Sequence, residues 1–276
     1  MTYRSIARRV RGMDTADGAG VKLKRVIGQP ALDMLDPFLM LDEFRSDQAG
    51  DYIEGFPDHP HRGFETVTYM LAGRMRHGDN KGNTGDLGPG SVQWMTAGSG
   101  LIHSEMPQQE EGLMWGFQLW VNLPAADKMT APRYQDIPPS DIPVVQPAAG
   151  VTVKVVAGEL AGAKGPVSGI ATEPVYLDIA LEAGSDVELA LPDGHSAFAY
   201  VFDGKAATVA GQSLARGELA VLSKGDTVAF AASEPARVLL VAGRPLAEPV
   251  ARYGPFVMNS PDQIHQAIAD FRAGKF

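Results

Sequence analysis

Two short segments of the sequence each carry a pair of metal-ligand side chains one residue apart. HPHRGFET contains His59 and His61, and GLIHSEMP contains His103 and Glu105. Side chains at i and i+2 of a β-strand point to the same face of the sheet. Each pair can therefore aim at one point, and two such pairs are much harder to attribute to chance than a single pair.

This set of side chains is suited to an open metal centre. Imidazole nitrogen and carboxylate oxygen together suit zinc, iron, manganese, nickel and copper. The sequence contains no cysteine, which argues against a closed structural zinc site. Three imidazoles and one carboxylate would fill four positions of an octahedral ion, leaving two for water, substrate or dioxygen.

The spacing does not decide the roles of two further residues, Glu65 and His77. Glu65 lies four residues after His61, an even separation that leaves it on the ligand face of a regular strand, so spacing alone does not choose between Glu65 and Glu105. His77 is either a residue behind the metal ligands or a hydrogen-bonded turn histidine.

The segments that carry these side chains are predicted to be short β-strands. FETVTYMLAG, which ends at Gly73, is rich in β-branched and aromatic residues and follows the first pair. Pro60 cannot donate to a strand ladder, so the first pair is expected at a strand start, edge or bulge. A turn-rich connection, GDNKGNTGDLGPG, precedes the strand candidates SVQWMTAG and GLIHSEM, and LMWGFQLWVNL closes this part of the chain. Core packing is the expectation for four large side chains, with a pocket wall above the metal as the alternative: Trp94, Met95, Met114 and Trp115.

The second half of the chain repeats the strand pattern without the ligand pairs. Residues 138–150 hold four prolines and are predicted to be an extended linker. From Val151 onward there are eight strand candidates, separated by Gly or Pro, and they predict a second barrel or jelly roll. His195 is the only histidine in this region. Ser260 and Pro261 are typical of a helix start, and they predict a short C-terminal helix with His265 on its surface.

Composition limits the functional class. The 276 residues include 31 Gly and 20 Pro, 45% are hydrophobic, and an all-β protein with real cores is expected. With 24 Lys and Arg against 33 Asp and Glu, the net charge of -9 disfavours direct binding to nucleic acid through a basic surface. No apolar run long enough to span a membrane and no signal-peptide core is present. We therefore expect a cytoplasmic monomer that binds neither nucleic acid nor membrane.

Longer motifs resemble a known family. HPHRGFETVTYML, HGDNKGNTGDLGPGSVQWMTAGSGLIHSEMP, QLWVNLPAADKMTAPRYQDI and YGPFVMN look like the pirin family of the cupin superfamily, from about residue 35 to the C-terminus. The resemblance implies an all-β fold of two cupin (jelly-roll β-barrel) domains in tandem with a short C-terminal helix. It assigns residues 1–137 to a metal-binding cupin domain, 138–150 to the linker, 151–250 to a cupin domain without ligands and 251–276 to a segment that packs back on the body.

The resemblance also implies a ligand set. It makes His59, His61, His103 and Glu105 the ligands of one divalent ion, with Fe(II) ahead of Mn, Ni, Cu or Zn. The wider cupin pattern would use Glu65 instead, and on the pirin pattern Glu65 is expected to pair elsewhere, with Arg62 as a candidate partner.

Several members of the family have quercetin 2,3-dioxygenase activity, which implies O2 and a small aromatic substrate such as a flavonol. Glu105 is then expected to act as ligand and as acceptor of the flavonol proton. The alternative is a non-enzymatic, redox-sensing metal-binding regulatory protein that binds a protein partner. A weaker third reading is a stress-response bicupin with adventitious quercetin turnover. An enzyme should have a deep, mainly apolar pocket over the metal, and a binding module an exposed patch beside it.

Overall fold

The computed structural model describes residues 1–276. The first half contains β1 (Ile6–Arg11), β2 (Met13–Asp17), β3 (Val21–Ile27), β4 (Phe38–Ser46), β5 (Phe56–His61), β6 (Phe64–Ala72), β7 (Met75–Asp79), β8 (Thr84–Leu87), β9 (Val92–Thr96), β10 (Leu101–Pro107), β11 (Met114–Asn122) and β12 (Arg133–Ile137). The second half contains β13 (Val144–Ala148), β14 (Val151–Ala157), β15 (Glu159–Leu160), β16 (Ala163–Lys164), β17 (Val175–Leu181), β18 (Ser185–Ala190), β19 (Ser196–Asp203), β20 (Ala206–Val209), β21 (Gln212–Ala215), β22 (Glu218–Leu222), β23 (Thr227–Ala232), β24 (Ala236–Gly243), β25 (Ala251–Tyr253), β26 (Phe256–Met258) and the helix α1 (Pro261–Arg272). Two short 3-10 helices span Ala49–Asp51 and Pro139–Asp141. No helix has the length and apolar content needed to cross a membrane.

One compact unit consists of residues 13–28, 38–139 and 246–276 and carries all the predicted ligands. It contains a seven-stranded antiparallel sheet in the order β12-β9-β6-β11-β4-β3-β2 and a four-stranded antiparallel sheet in the order β5-β10-β7-β8. Apolar side chains of both sheets form a shared core, which includes Phe44, Met70 and Met114 from the larger sheet and Met75 and Leu87 from the smaller one. The expected jelly-roll arrangement is therefore present in this unit.

The second unit consists of residues 1–12, 29–37 and 140–245. Its seven-stranded sheet runs β1-β22-β19-β24-β17-β14-β13, and its four-stranded sheet runs β18-β23-β20-β21. All eight strands expected after Val151 are present, because their alternating Val, Leu, Ile and Phe side chains fill one continuous core. The short strand β21 was not expected from the sequence, since half of its four residues are exposed and polar.

The observed units differ from the expected boundaries at two places. Strand β1 belongs to the second unit, where it pairs with the otherwise open edge of β22, so residues 1–12 do not group with residues 13–28. Residues 138–150 are not a free linker, because Val144–Ala148 forms β13 and pairs with β14. Pro147 is tolerated there because β13 is an edge strand with a break in register.

The C-terminal segment begins with a hairpin of β25 and β26 and ends with α1. Ser260 caps the helix by accepting a hydrogen bond from the backbone N–H of Gln263, and the Gln263 side chain completes the capping box. His265 is exposed on this helix, as expected. The predicted helix start at Ser260–Pro261 is confirmed.

The same segment packs on its own unit through Arg62. The guanidinium of Arg62 is bonded to Asp270 of α1 at 2.8 Å and lies 4.3 Å from the centre of the Phe276 ring. Its Nε also donates to the carbonyl of Ser99 at 2.7 Å. Arg62 thereby connects the end of strand β5 with both the C-terminal helix and the turn before β10.

Candidate metal centre

Strands β5 and β10 are antiparallel neighbours, and they bring three histidines together. His59 lies directly opposite His103, and His61 lies opposite Leu101 two pairs further along. The ring centres are 4.4 Å apart for His59 and His103, 4.6 Å for His59 and His61, and 4.9 Å for His61 and His103. One nitrogen from each ring lies within 4.8 Å of the other two, a spacing at which a single ion can contact all three.

Burial holds two of the three imidazoles in the neutral form that a metal ligand needs, and a hydrogen bond orients the third. Nδ1 of His59 lies 2.8 Å from the carbonyl oxygen of Pro57, to which it donates, so Nε2 is the nitrogen of this ring that can face a metal. Burial lowers the pKa of His61 well below its usual value and lowers that of His103 to about 4. The ring nitrogens of His61 and His103 are buried and have no hydrogen-bond partner, which is the environment expected of nitrogens that bind a metal.

Glu105 is buried on β10, two residues beyond His103, after a shift in register. Its Oε1 accepts a hydrogen bond from Thr68 at 2.8 Å, and its Oε2 accepts one from Gln118 at 3.0 Å. Burial raises the pKa of Glu105, but the His103 imidazole and these hydrogen bonds outweigh burial, and the net pKa lies below its ordinary value. The carboxylate is not part of the 4.8 Å group of ligand atoms, so its role as the fourth ligand stays a prediction.

Glu65 lies on the other face of its strand. Phe64 packs 5.0 Å from the His61 ring and Thr68 bonds to Glu105, so the even-numbered residues of β6 face the histidines. Glu65 therefore points away from them, and its Oε1 accepts a hydrogen bond from Thr96 at 2.7 Å. The even spacing from His61 fails as a guide because Gly63, with φ of 86°, interrupts the strand between them.

The expected partner of Glu65 is also different. Arg62 is bonded to Asp270, and Glu65 is bonded to Thr96. Burial raises the pKa of Glu65 to about 7, and hydrogen bonds from Thr96 and Trp94 only partly offset that effect. Glu65 is thus a buried carboxyl group outside the site.

His77 lies behind Glu105 and not in a turn. It belongs to β7, directly opposite Glu105 of β10, and its side chain is buried. Its Nε2 lies 3.3 Å from Asp136, and its ring stacks on Tyr134 at 5.2 Å. Gly85 makes room for it, since a Cβ at that position would lie 2.2 Å from Nε2 of His77.

A cavity of about 590 Å³ adjoins the histidines. Its apolar wall includes Leu23, Met40, Phe44, Phe56 and Trp120, and its other lining residues include His59, His61, Gln118, Arg25, Asp42 and Arg252. Most of these residues could not be predicted from the sequence, because they come from β3, β4, β11 and β25, which meet only in the folded unit. Four large side chains that could have formed a pocket wall are buried in the unit and do not line this cavity: Trp94, Met95, Met114 and Trp115.

Comparison with known proteins agrees with this architecture. A family model described as Pirin matches residues 20–121, and one described as the Pirin C-terminal cupin domain matches residues 176–276. The chain belongs to the pirin family. It is thus a protein of two cupin domains, as the motifs in its first half indicated.

Relatives resemble the chain over its full length. A pirin-like protein of Caulobacter vibrioides is 52% identical over 277 residues, which cover 100% of both chains. Human pirin is 45% identical over 269 residues, which cover 95% of this chain and 90% of the human one. The crystal structure of a quercetin 2,3-dioxygenase from Acinetobacter baumannii matches with a TM-score of 0.91 and 36% identity, covering 99% of this chain and 98% of that one.

Proposed function

We propose that this protein is a mononuclear metal dioxygenase that opens the heterocyclic ring of a flavonol with O2. The observation that carries the proposal is the convergence of three imidazoles beside a cavity of about 590 Å³ with an apolar wall. A cavity of this kind is expected of an enzyme acting on a small aromatic molecule, whereas a binding module needs an exposed patch. The likeness to a quercetin 2,3-dioxygenase supports the choice of substrate class.

The proposed ligands are His59, His61, His103 and Glu105. Histidines with one carboxylate and open positions are typical of non-haem iron(II) oxygenases, so Fe(II) is the proposed ion. A bound divalent ion supplies a Lewis acid that favours the deprotonated form of a coordinated enol, together with open positions for substrate and dioxygen. One flavonol and one O2 then give one ring-opened ester and one carbon monoxide.

The side chains of the protein have three tasks in this reaction. We propose that a carboxylate oxygen of Glu105 accepts the proton of the flavonol 3-hydroxyl. Gln118 and Thr68 fix that carboxylate by the hydrogen bonds described above, so that it needs no rearrangement before the transfer. The apolar wall excludes water and holds the planar substrate at the histidines.

The test is O2 consumption on addition of quercetin to protein reconstituted anaerobically with iron(II). We expect metal-dependent O2 uptake that His59→Ala abolishes and that His265→Ala, an exposed histidine of α1, leaves unchanged. Glu105→Gln should retain metal, measured by mass spectrometry, yet lose most turnover. Unchanged turnover in Glu105→Gln would remove Glu105 from the mechanism. If protein with one iron per chain consumes no O2, the enzyme proposal is refuted in favour of a redox-sensing regulatory protein.

A further inference from the structure

Gln118 is the one residue of strand β11 that is not buried. The other residues of this nine-residue strand, Met114–Asn122, are all buried. Strand β11 lies between β4 and β6 in the middle of the seven-stranded sheet, so it has no open edge. Gln118 therefore owes its exposure to the cavity, whose wall it lines. A molecule that fills the cavity can contact the Gln118 side chain.

The amide nitrogen of Gln118 is already engaged by the protein. Nε2 lies 3.0 and 3.2 Å from the two oxygens of Glu105 and 3.2 Å from Oγ1 of Thr68. Carboxylate oxygens accept hydrogen bonds, and the Thr68 hydroxyl donates its own proton to Glu105 at 2.8 Å. All three contacts thus require a donor, and this requirement fixes the amide with its nitrogen toward Glu105.

The amide oxygen of Gln118 remains a free acceptor. Every hydrogen bond of this side chain is made by Nε2, so Oε1 accepts none. Unlike the ring nitrogens of His61 and His103, Oε1 is not enclosed by protein atoms. An amide oxygen accepts and cannot donate, so it favours a ligand that presents an O–H or N–H group. Glu105 and Gln118 can therefore receive two donors of one ligand side by side.

The position of Oε1 next to Glu105 limits which donor of a flavonol it can reach. In the proposed reaction Glu105 accepts the proton of the 3-hydroxyl, so the second donor must lie close to the metal-binding oxygens. In quercetin only the 5-hydroxyl does so, because the other hydroxyls lie on outer parts of the rings. The 5-hydroxyl proton is freed from its internal hydrogen bond when a divalent ion binds the neighbouring carbonyl oxygen.

We propose that Gln118 is a specificity-determining residue whose amide oxygen accepts a hydrogen bond from a substrate hydroxyl beside the metal-binding oxygens. The inference rests on the proposed function, because the metal-binding oxygens place the substrate against Glu105. The substrate class is then narrower than flavonols in general: it is flavonols that carry a 5-hydroxyl.

The test compares quercetin with fisetin, which lacks only the 5-hydroxyl. Anaerobic binding of each flavonol to the zinc-loaded protein is followed by the absorption change on chelation, and the ratio of the two affinities is measured. Gln118→Met, which keeps the length of the side chain and loses the acceptor, should lower the quercetin-to-fisetin ratio about fivefold, equivalent to about 1 kcal/mol. Gln118→Leu should give the same result.

Thr68→Val is the matched control. It also removes a hydrogen bond to Glu105, but Thr68 does not line the cavity. This variant should weaken the binding of both flavonols by the same factor and keep the wild-type ratio. An unchanged ratio in Gln118→Met, or an equal fall of the ratio in Thr68→Val, would refute the inference.

These measurements also separate the inference from the proposed function, because binding requires no turnover. A fivefold fall in the ratio supports the role of Gln118 even if wild-type protein consumes no O2, and an unchanged ratio refutes it even in an active dioxygenase. A further probe needs no variant: 5-O-methylquercetin keeps the oxygen and lacks the proton. Wild-type protein should bind it at least fivefold more weakly than quercetin, and equal affinities would overturn the inference.

Discussion

Replacement of Lys128 by methionine should remove a pH dependence of folding stability that lies between about pH 8 and pH 10.5. The Lys128 side chain is buried, and its Nζ donates to the carbonyl oxygens of Gly63 and Val257 at 2.8 and 3.0 Å and to Oδ1 of Asn122 at 2.7 Å. All three acceptors are neutral. The ammonium group therefore loses hydration on folding without a carboxylate in direct contact, and Glu248 acts on it only at longer range.

The magnitude follows from the pKa of this amine. Burial lowers the pKa of Lys128 from 10.5 to about 8, and Glu248 opposes that effect only in part. Between these two values the unfolded chain holds a proton that the folded protein has released, so stability rises with pH. At about 1.4 kcal/mol per pH unit the gain across the window is about 3 kcal/mol. This contribution is fully present above pH 10.5 and is lost as the pH falls through 8.

The assay is urea unfolding of wild type and Lys128→Met at several pH values from about 7 to 11. The free energy of unfolding of wild type should rise by about 3 kcal/mol relative to the variant across the window. Lys205→Met, in which a lysine with an 83% exposed side chain is removed, should follow wild type. Parallel curves for wild type and Lys128→Met would refute the reasoning. An NMR titration of the Lys128 ammonium gives the same pKa directly if the variant is too unstable to unfold reversibly.

Three further changes test other parts of the unit that contains the three histidines. Burial raises the pKa of Glu65 to about 7, so its carboxyl contributes stability that is present below about pH 4.5 and lost as the pH rises through 7. Glu65→Gln should therefore raise the thermal midpoint at pH 8 and not at pH 4.5, and an equal shift at both would contradict this account. Gly63→Ala places a Cβ 2.0 Å from the carbonyl oxygen of Val257 at a φ of 86°, and urea unfolding should show a loss of more than about 1 kcal/mol. Phe276→Ala should cost about 3–5 kcal/mol in the same assay, clearly more than Phe271→Ala, whose ring is 36% exposed; equal losses would show that the Phe276 ring contributes little.

The sequence predicted that His59, His61 and His103 converge because the information is local. An i, i+2 pair in a strand shares a face whatever the rest of the fold does, and both pairs lie in strands, β5 and β10. The same rule failed for Glu65. The positive φ of Gly63 interrupts the regular alternation of side chains between the two faces, and spacing in the sequence does not reveal such an interruption.

Other features depended on pairing between distant strands. Gln118 and Trp120 reach the site only because β11 lies between β4 and β6, and Arg252 reaches the cavity wall from a segment more than a hundred residues away. The position of β1 in the second unit was missed for the same reason, because its alternating side chains fit any open sheet edge.

The bond between Arg62 and Asp270 also constrains the order in which the chain can mature on a ribosome. Residues 13–28 and 38–139 of this unit are synthesised before residues 140–245 of the other unit, and residues 246–276 come last. Domains generally fold as they emerge from the ribosome, but the unit with the three histidines cannot be completed in this way, because its C-terminal hairpin and helix are synthesised last. Arg62, the residue after His61, thus gains its Asp270 partner only when translation is almost finished. A nascent chain that stops before residue 246 contains all three histidines but lacks the C-terminal segment that packs against Arg62.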